Sequence, residues 1–303
     1  MTKILHDRGC WKLTLLLISV VMLSVTAGAA QPPAEHEDPE NDSPLPGILA
    51  RMANVAELYM DSALRFTCNE TILFAGSGNP VMHRFKYLYR FSKESDRLED
   101  FRVPLSSKSN ADLETNRVSL DNYGLPTFLV RAYSWVFVFE NDNQALYRYR
   151  FEGEEEEQYR PAYRVSFESI PPYIADLNDW TGTAWIDRET YQLLRVEAHR
   201  IEDMEQKRQV QRALAEPCDP AKSSYRGTFA YSTYVTEFDV EQNGMRFPGR
   251  SLIDRSNYVV TGCPQKARAK EVRLYHVSQT YKKYRFFGVR TWEEIAERIE
   301  AGI

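Results

Sequence analysis

The feature that most constrains this chain is a long series of segments in which apolar and polar residues alternate. In RFKYLYRF, Phe85, Tyr87 and Tyr89 occupy alternate positions, and basic residues fill most of the positions between them. In ALYRYRFEG, Tyr147 and Tyr149 alternate with arginines in the same way. Successive side chains of a strand point to opposite faces, so this period predicts strands with one aromatic face.

Further segments of this kind lie near 68–75, 99–105, 160–169, 183–187, 192–201, 227–241, 246–260 and 270–286. Turn signals separate several of them. The clearest is Asn243-Gly244, a dipeptide typical of two-residue hairpins. Strands joined by short turns pair antiparallel, so the chain is predicted to form a long meander.

Helices are predicted at the two ends of the meander. Ile48, Met52, Val55 and Tyr59 recur at steps of three and four, which indicates a helix from about 46 to 65. A short C-terminal helix is predicted after a capping box at 291–294. The apolar run 125–139 fits a buried helix start followed by a strand, without a firm division. The fold class is therefore α+β.

The first thirty residues are interpreted as a secretory signal peptide. Three basic residues precede an apolar run that ends in small residues near Ala29 and Ala30. The alternative is a retained anchor, but the apolar core 13–25 is shorter than the roughly 20 residues that span a bilayer. Residues 31–46 are acidic and Pro-rich, which predicts a disordered linker. A single domain is expected over 47–303, with no transmembrane segment after cleavage.

Charge and location follow from this interpretation. The whole chain has 38 basic and 43 acidic residues, and removal of 1–30 leaves 35 and 42. A net charge of about −7 gives no reason to expect a nucleic-acid partner. We expect a periplasmic or secreted protein, in a compartment where cysteines pair.

No motif in the sequence indicates catalysis, a metal or a cofactor. The chain has no nucleophile elbow, metalloprotease motif, Walker loop or dinucleotide fingerprint. His83, His199 and His276 each stand alone within a strand pattern. The acidic run 154–157 lacks the alternating ligands of a calcium loop and is interpreted as a solvated hairpin tip. We therefore expect no enzyme.

The aromatic strand faces allow two interpretations. They form either an ordinary core with arginines facing water, or a concave surface for an acyl chain or hydrophobic peptide. The residues that would line such a hollow are Met52, Tyr59, Phe85, Tyr87, Tyr89, Tyr147 and Tyr149.

The hairpin DWTGTAWIDRETYQLLRVEAHR at 179–200 resembles one that is common in periplasmic proteins of the LolA/LolB-like lipoprotein-localisation superfamily. The segments YVTEFDVEQNGMRFPGRSLI and YHVSQTYKKYRFFGV resemble the later strands of those proteins, whereas Tyr191 stands where a glycine usually completes the turn. The resemblance implies a strongly curved, incomplete antiparallel barrel wrapped round the N-terminal helix. It also implies carriage or sensing of lipids or lipoproteins without catalysis. The alternative is an envelope module that binds a protein through a sheet edge or the C-terminal helix.

The cysteine pattern predicts a Cys218–Cys263 disulfide with Cys68 unpaired. A hairpin closed at Asn243-Gly244 pairs residues whose numbers sum to about 487, which places Cys263 near position 224. Closing this loop of about 46 residues stabilises by roughly 4 kcal/mol in the chain-entropy model. One thiol per exported chain is expected to titrate after denaturation without reductant. Three free thiols, or a peptide map linking Cys68 to either partner, would contradict the assignment.

Overall fold

The computed structural model describes residues 43–63, 66–92, 97–105, 123, 125, 132–173, 179–217, 225–262 and 267–286. For residues 63, 89–92 and 97–100 it describes only the backbone. All of these residues belong to the second of two compact units of the chain, residues 42–303. The predicted signal peptide, the C-terminal helix and the Cys218–Cys263 pair lie outside the described residues. Among the described helices, none combines the length and apolar character needed to cross a bilayer.

Twelve strands and four helical segments make up the described part of the chain. The strands are β1 (Phe66–Ala75), β2 (Val81–Ser92), β3 (Arg97–Pro104), β4 (Tyr147–Glu157), β5 (Arg160–Ser169), β6 (Trp180–Asp187), β7 (Leu193–Arg200), β8 (Tyr225–Glu237), β9 (Val240–Gln242), β10 (Met245–Phe247), β11 (Arg250–Thr261) and β12 (Arg268–Phe286). The helices are α1 (Leu45–Ala63), a 3₁₀ helix (Ala132–Phe139), α2 (Asn141–Gln144) and α3 (Ile201–Ala215).

Ten of these strands form one antiparallel sheet in the order β3-β2-β1-β12-β11-β8-β7-β6-β5-β4. β9 and β10 form a separate two-stranded hairpin. Within the described residues β3 and β4 each have one neighbour, so the sheet is not closed into a barrel. The predicted antiparallel meander is confirmed.

The Asn243-Gly244 turn sets the register of the long strands. Both residues have positive φ, 53° and 73°, as a type I′ turn requires. Residues paired across β8 and β11 have numbers that sum to 487, from Glu237–Arg250 to Gly227–Val260. The predicted register is therefore confirmed along almost all of this pair.

Helix α1 covers the inner face of the sheet, the face that carries the core. Met52, Val55 and Tyr59 are 0%, 2% and 1% exposed, as the helical period predicts. α1 contacts both β2 and β4, which lie near opposite ends of the strand order, so the sheet curves round the helix. The helix begins at Leu45, inside the predicted linker, because Pro46 fits a first turn whose N–H groups have no helical partner.

The interpretation of 125–139 as a helix start followed by a strand is wrong in its second half. Residues 132–139 form one 3₁₀ helix, and six of its eight side chains are buried. A run that is apolar at successive positions fits a buried strand and a buried helix equally well. Here the contacts with α1 select the helix, and the Tyr133 hydroxyl donates to the Tyr59 carbonyl across 2.6 Å.

Helix α3 interrupts the meander between β7 and β8, where the alternation predicted neither a strand nor a helix. Its residues, rich in Glu, Gln, Arg and Ala, favour a helix. Only Asp203 and Val210 are buried among them, which leaves almost no apolar period to detect.

The glutamates 154–157 lie at the end of β4, directly before the tip of a hairpin rather than in it. The turn itself is formed by Gln158 and Tyr159, which have positive φ. Glu155 pairs with Arg164 of β5, Glu154 with Arg188 in the turn after β6, and Glu157 with Arg195 of β7. The run is therefore a salt-bridged strand end, and the described residues include no group of three metal-ligating side chains.

Replacing Met52 by Ala tests how much α1 stabilises the sheet. The substitution leaves a cavity at a fully buried position, so the free energy of unfolding should fall by about 2–5 kcal/mol in urea titrations. Glu57→Ala, at an exposed position of the same helix, should change it by less than about 0.5 kcal/mol. Equal effects of the two substitutions would show that α1 does not pack as described.

Candidate functional site

The residues predicted to line a hollow lie on three elements. Met52 and Tyr59 are on α1, Phe85 and Tyr87 on β2, and Tyr147 and Tyr149 on β4. All are buried except Tyr149, which is partly buried. Tyr89 is on β2, but its side chain lies outside the described part. Their shared face, predicted from the alternation, is thus the one that packs into the core.

These residues belong to one apolar core, but their rings form separate groups within it. Tyr59 packs with Tyr133, at 5.4 Å between ring centroids. On β4, Tyr147 packs with Phe167 at 5.9 Å. Around α1 the inner face is therefore filled by protein side chains.

Tyr59 connects α1 to the β9–β10 hairpin. Its hydroxyl accepts from the Arg246 N–H at 3.1 Å and lies within hydrogen-bond distance of the Arg246 carbonyl and of Gln192 Oε1. The Gln192 amide also donates to the Gly244 carbonyl at 2.8 Å. Burial raises the pKa of Tyr59 well above its usual value, so this phenol keeps its proton and acts as a structural group.

A buried ion pair lies on the inner face between β1 and β3. The Arg102 guanidinium donates to both carboxylate oxygens of Glu70, at 2.5 and 3.0 Å. Gln279 also donates to Glu70, and the Arg102 guanidinium lies over the ring of Tyr87 at 4.9 Å. Glu70 is 0% exposed, so these charge-assisted bonds replace its hydration.

The polar groups continue across the sheet in register. Ser251 lies opposite Gln279 on one side and Thr236 on the other. The Ser251 and Thr236 hydroxyls are 2.9 Å apart, and the Trp135 indole N–H donates to Thr236 at 3.0 Å. A buried polar band therefore divides the inner face. It could not be predicted, because each polar residue from the sheet stands singly within an alternating strand.

Beyond this band, the inner face becomes partly accessible. Phe74 and Tyr275 are partly buried and in ring contact at 5.8 Å. Tyr123 is partly buried and packs on Phe85 at 5.3 Å. Val81, which lies opposite Phe74, is 42% exposed. These four residues, which we call the open end, form an accessible apolar part of the inner face, and none of them is among the residues that the alternation predicted to line a hollow.

A groove of about 330 Å³ lies at the opposite end of the sheet, beside the turn after β6. It is lined by Arg160, Pro161, Tyr163, Asp187, Arg188 and Glu189. Both arginines already have acidic partners, since Arg160 pairs with Asp187 at 3.0 Å and Arg188 pairs with Glu154. The groove is thus balanced in charge and gives no preference for an anion.

The titratable groups nearest to a catalytic arrangement lie around α3. His199 Nε2 lies within hydrogen-bond distance of the Tyr231 hydroxyl, at 3.1 Å. Burial lowers the pKa of His199. Asp203 is 3% exposed, its Oδ2 has no hydrogen-bond partner, and burial raises its pKa to about 6. Neither group adjoins an activated nucleophile, so the arrangement supports no particular reaction.

No family model matches the chain, and no curated protein matches its sequence. The structure is similar to that of a DUF1329 family protein from Desulfovibrio piger, at 11% identity and a TM-score of 0.43, over 80% of this chain and 94% of that one. It is also similar to a LolA superfamily protein from Nitrosomonas europaea, at 12% identity and a TM-score of 0.36, over 81% and 94%. A third similar structure is a putative outer membrane lipoprotein-sorting protein domain from Vibrio parahaemolyticus, at 10% identity and 0.34, over 82% and 97%. One of these similar structures carries the name of the superfamily that the hairpin sequences resemble.

Asp203 should make stability depend on pH. Its folded pKa of about 6 lies above the usual 3.8, so the folded state holds the proton more tightly and loses stability as pH rises between these values. Asp203→Asn removes this loss. The free energy of unfolding of the variant, relative to the unsubstituted protein, should therefore increase from pH 4 to pH 7. A difference that stays constant over this range would contradict the burial of an ionisable Asp203.

Proposed function

We propose that the protein is an exported, non-catalytic binding protein for a lipid, lipoprotein or other hydrophobic ligand, and that the ligand binds at the open end. The observation that carries the proposal is the contrast along the inner face. Tyr59, Tyr133 and Phe139 are at most 1% exposed where α1 meets the 3₁₀ helix, whereas Phe74, Tyr275 and Tyr123 stay partly accessible.

The open end has the chemistry of an acyl-chain site. Phe74 lies opposite Val277 and two residues from Ile72, both fully buried, so a chain lying on Phe74 extends the existing core. Each methylene that leaves water there contributes about 0.8 kcal/mol. The polar band of Glu70, Gln279 and Ser251 limits how far a chain extends toward α1, because an apolar chain leaves buried polar groups unsatisfied.

This placement differs from the hollow predicted by the sequence. A ligand at Met52, Tyr59 or Tyr147 has to displace α1 or the 3₁₀ helix, which fill that region. A ligand at the open end meets side chains that already have accessible surface. The residues predicted to line a hollow therefore form part of the core beside the proposed site, and the open end provides the surface that the ligand contacts.

The alternative is an envelope module that binds a protein partner by strand addition. β4 is an edge strand whose neighbour in the described sheet is β5 alone. Arg148 and Arg150 are exposed along it, and charged edge residues oppose unspecific pairing. A partner strand would need acidic side chains at matching positions.

A fluorescent fatty-acid probe tests the ligand proposal. We expect saturable binding that competitor phospholipid reverses, and Val81→Asp should weaken it at least about tenfold by placing a charge beside Phe74. Met82→Asp is the matched control, since Met82 is the next residue, is 55% exposed and points to the opposite face. It should change probe affinity by less than about twofold.

Failure of the probe to bind, or equal loss in both variants, would contradict a ligand site on the inner face. A stoichiometric protein partner recovered in native mass spectrometry, without any co-purified acyl species, would favour the module.

A further inference from the structure

The exposed aliphatic side chains of the described residues are concentrated at one end of the sheet. They are Leu73, Val81, Met82, Leu105, Val272 and Leu274, between 38% and 55% exposed. Every exposed large apolar residue away from this set is a tyrosine. Single exposed apolar residues are ordinary, but a contiguous group on adjacent strands marks an interaction surface.

The strand register places two of these residues opposite each other on the outer face, and two more lie near them, on β12 and directly after β3. Leu73 lies directly opposite Met82, and both alternate with buried or inner-face neighbours. The Leu105 N–H donates to the Arg84 carbonyl at 3.2 Å, two residues from Met82. The Leu274 carbonyl lies 3.9 Å from the position of a Cβ on Gly76, at the end of the β1–β2 hairpin. We call Leu73, Met82, Leu105 and Leu274 the apolar rim.

Basic residues flank the apolar rim in a chain that is acidic overall. Among the described residues at this end, Arg84, Arg268 and Lys270 are exposed against one exposed acid, Glu271. Arg273 is also exposed and pairs with Asp254 at 3.4 Å, and Asp254 lies 2.9 Å from His276. The full chain has a net charge of −5, so this local excess of positive charge opposes the overall balance.

Apolar side chains ringed by arginine and lysine at strand ends fit the interface of an anionic bilayer. The apolar groups enter the boundary between headgroups and acyl chains, while the long basic side chains reach the phosphates.

We propose that this end of the sheet docks the protein on an anionic lipid surface through the apolar rim and its basic flank. The inference goes beyond ligand binding and does not require it. The rim lies on the outer face, whereas the ligand is assigned to the inner face, so the two are separable by substitution.

Vesicle co-sedimentation tests the proposal with protein lacking residues 1–30, whose apolar run would itself bind lipid. The described structure lies wholly within 43–286, outside that segment. We expect binding to vesicles of phosphatidylglycerol and phosphatidylcholine, and much weaker binding to phosphatidylcholine alone. Increasing salt should weaken the binding.

Two sets of substitutions separate the contribution of the apolar rim to vesicle binding from that of its basic flank. Leu73→Ser with Met82→Ser should lower the partition coefficient at least about tenfold, because two apolar side chains no longer enter the interface. Arg84→Gln with Arg273→Gln should lower the partition coefficient on anionic vesicles about fivefold per charge removed. Binding to phosphatidylcholine vesicles should not change. Tyr159→Ser is the control, since Tyr159 is 96% exposed at the opposite end of the sheet.

All these positions are exposed, so circular dichroism should show an unchanged fold. Absence of vesicle binding, or binding that neither set of substitutions reduces, would overturn the proposal. Concentration-dependent dimers in sedimentation velocity that Leu73→Ser abolishes, without vesicle binding, would show that the rim is an interface between copies of the chain. The fatty-acid probe assay on the same variants should give unchanged affinity, which distinguishes loss of docking from loss of the ligand site.

Discussion

The structure depends on the need of an open, curved sheet to cover its concave apolar face. Ten strands that do not close on themselves leave that face exposed unless another element fills it. Helix α1 does so with Met52 and Val55, and Tyr59 fastens the helix to the β9–β10 hairpin through Arg246 and Gln192. The 3₁₀ helix extends this cover of the concave face, and its Tyr133 hydroxyl donates to the Tyr59 carbonyl of α1. Since both helices lie at one part of the face, the rest of it keeps partly accessible aromatics.

The sequence predicted the strands and their register well because both depend on local signals. Period-two alternation fixes which residues face the core, and the Asn243-Gly244 turn fixes the pairing of β8 with β11 to the residue. The turn after β6 also depends on local contacts, although one of its residues takes an unfavourable backbone conformation. Tyr191 takes a positive φ of 55° where the resemblance places a glycine. The Asp187 carboxylate holds that turn by accepting from the N–H groups of Glu189 and Thr190.

The helices within the meander and the functional surface were harder to predict because they depend on contacts between distant residues. The 3₁₀ helix is apolar throughout, so only its place beside α1 distinguishes it from a strand. In α3 only two residues are buried. The aromatic positions were correctly assigned to the inner face, yet their packing and the accessibility of Phe74 result from where α1 ends. No local pattern contains that information, and the same holds for the Arg102–Glu70 pair, which joins β3 to β1.

The geometry of the β1–β2 hairpin connects the two proposed surfaces. Val81 and Met82 are adjacent in the chain, and strand alternation directs one to the inner face and the other to the outer face. If the outer face rests on a bilayer, the open end on the inner face points away from it and stays accessible. On the proposed assignments, docking and ligand binding are separate contacts of one hairpin. Because they use opposite faces, the protein can approach the bilayer without blocking its own ligand site.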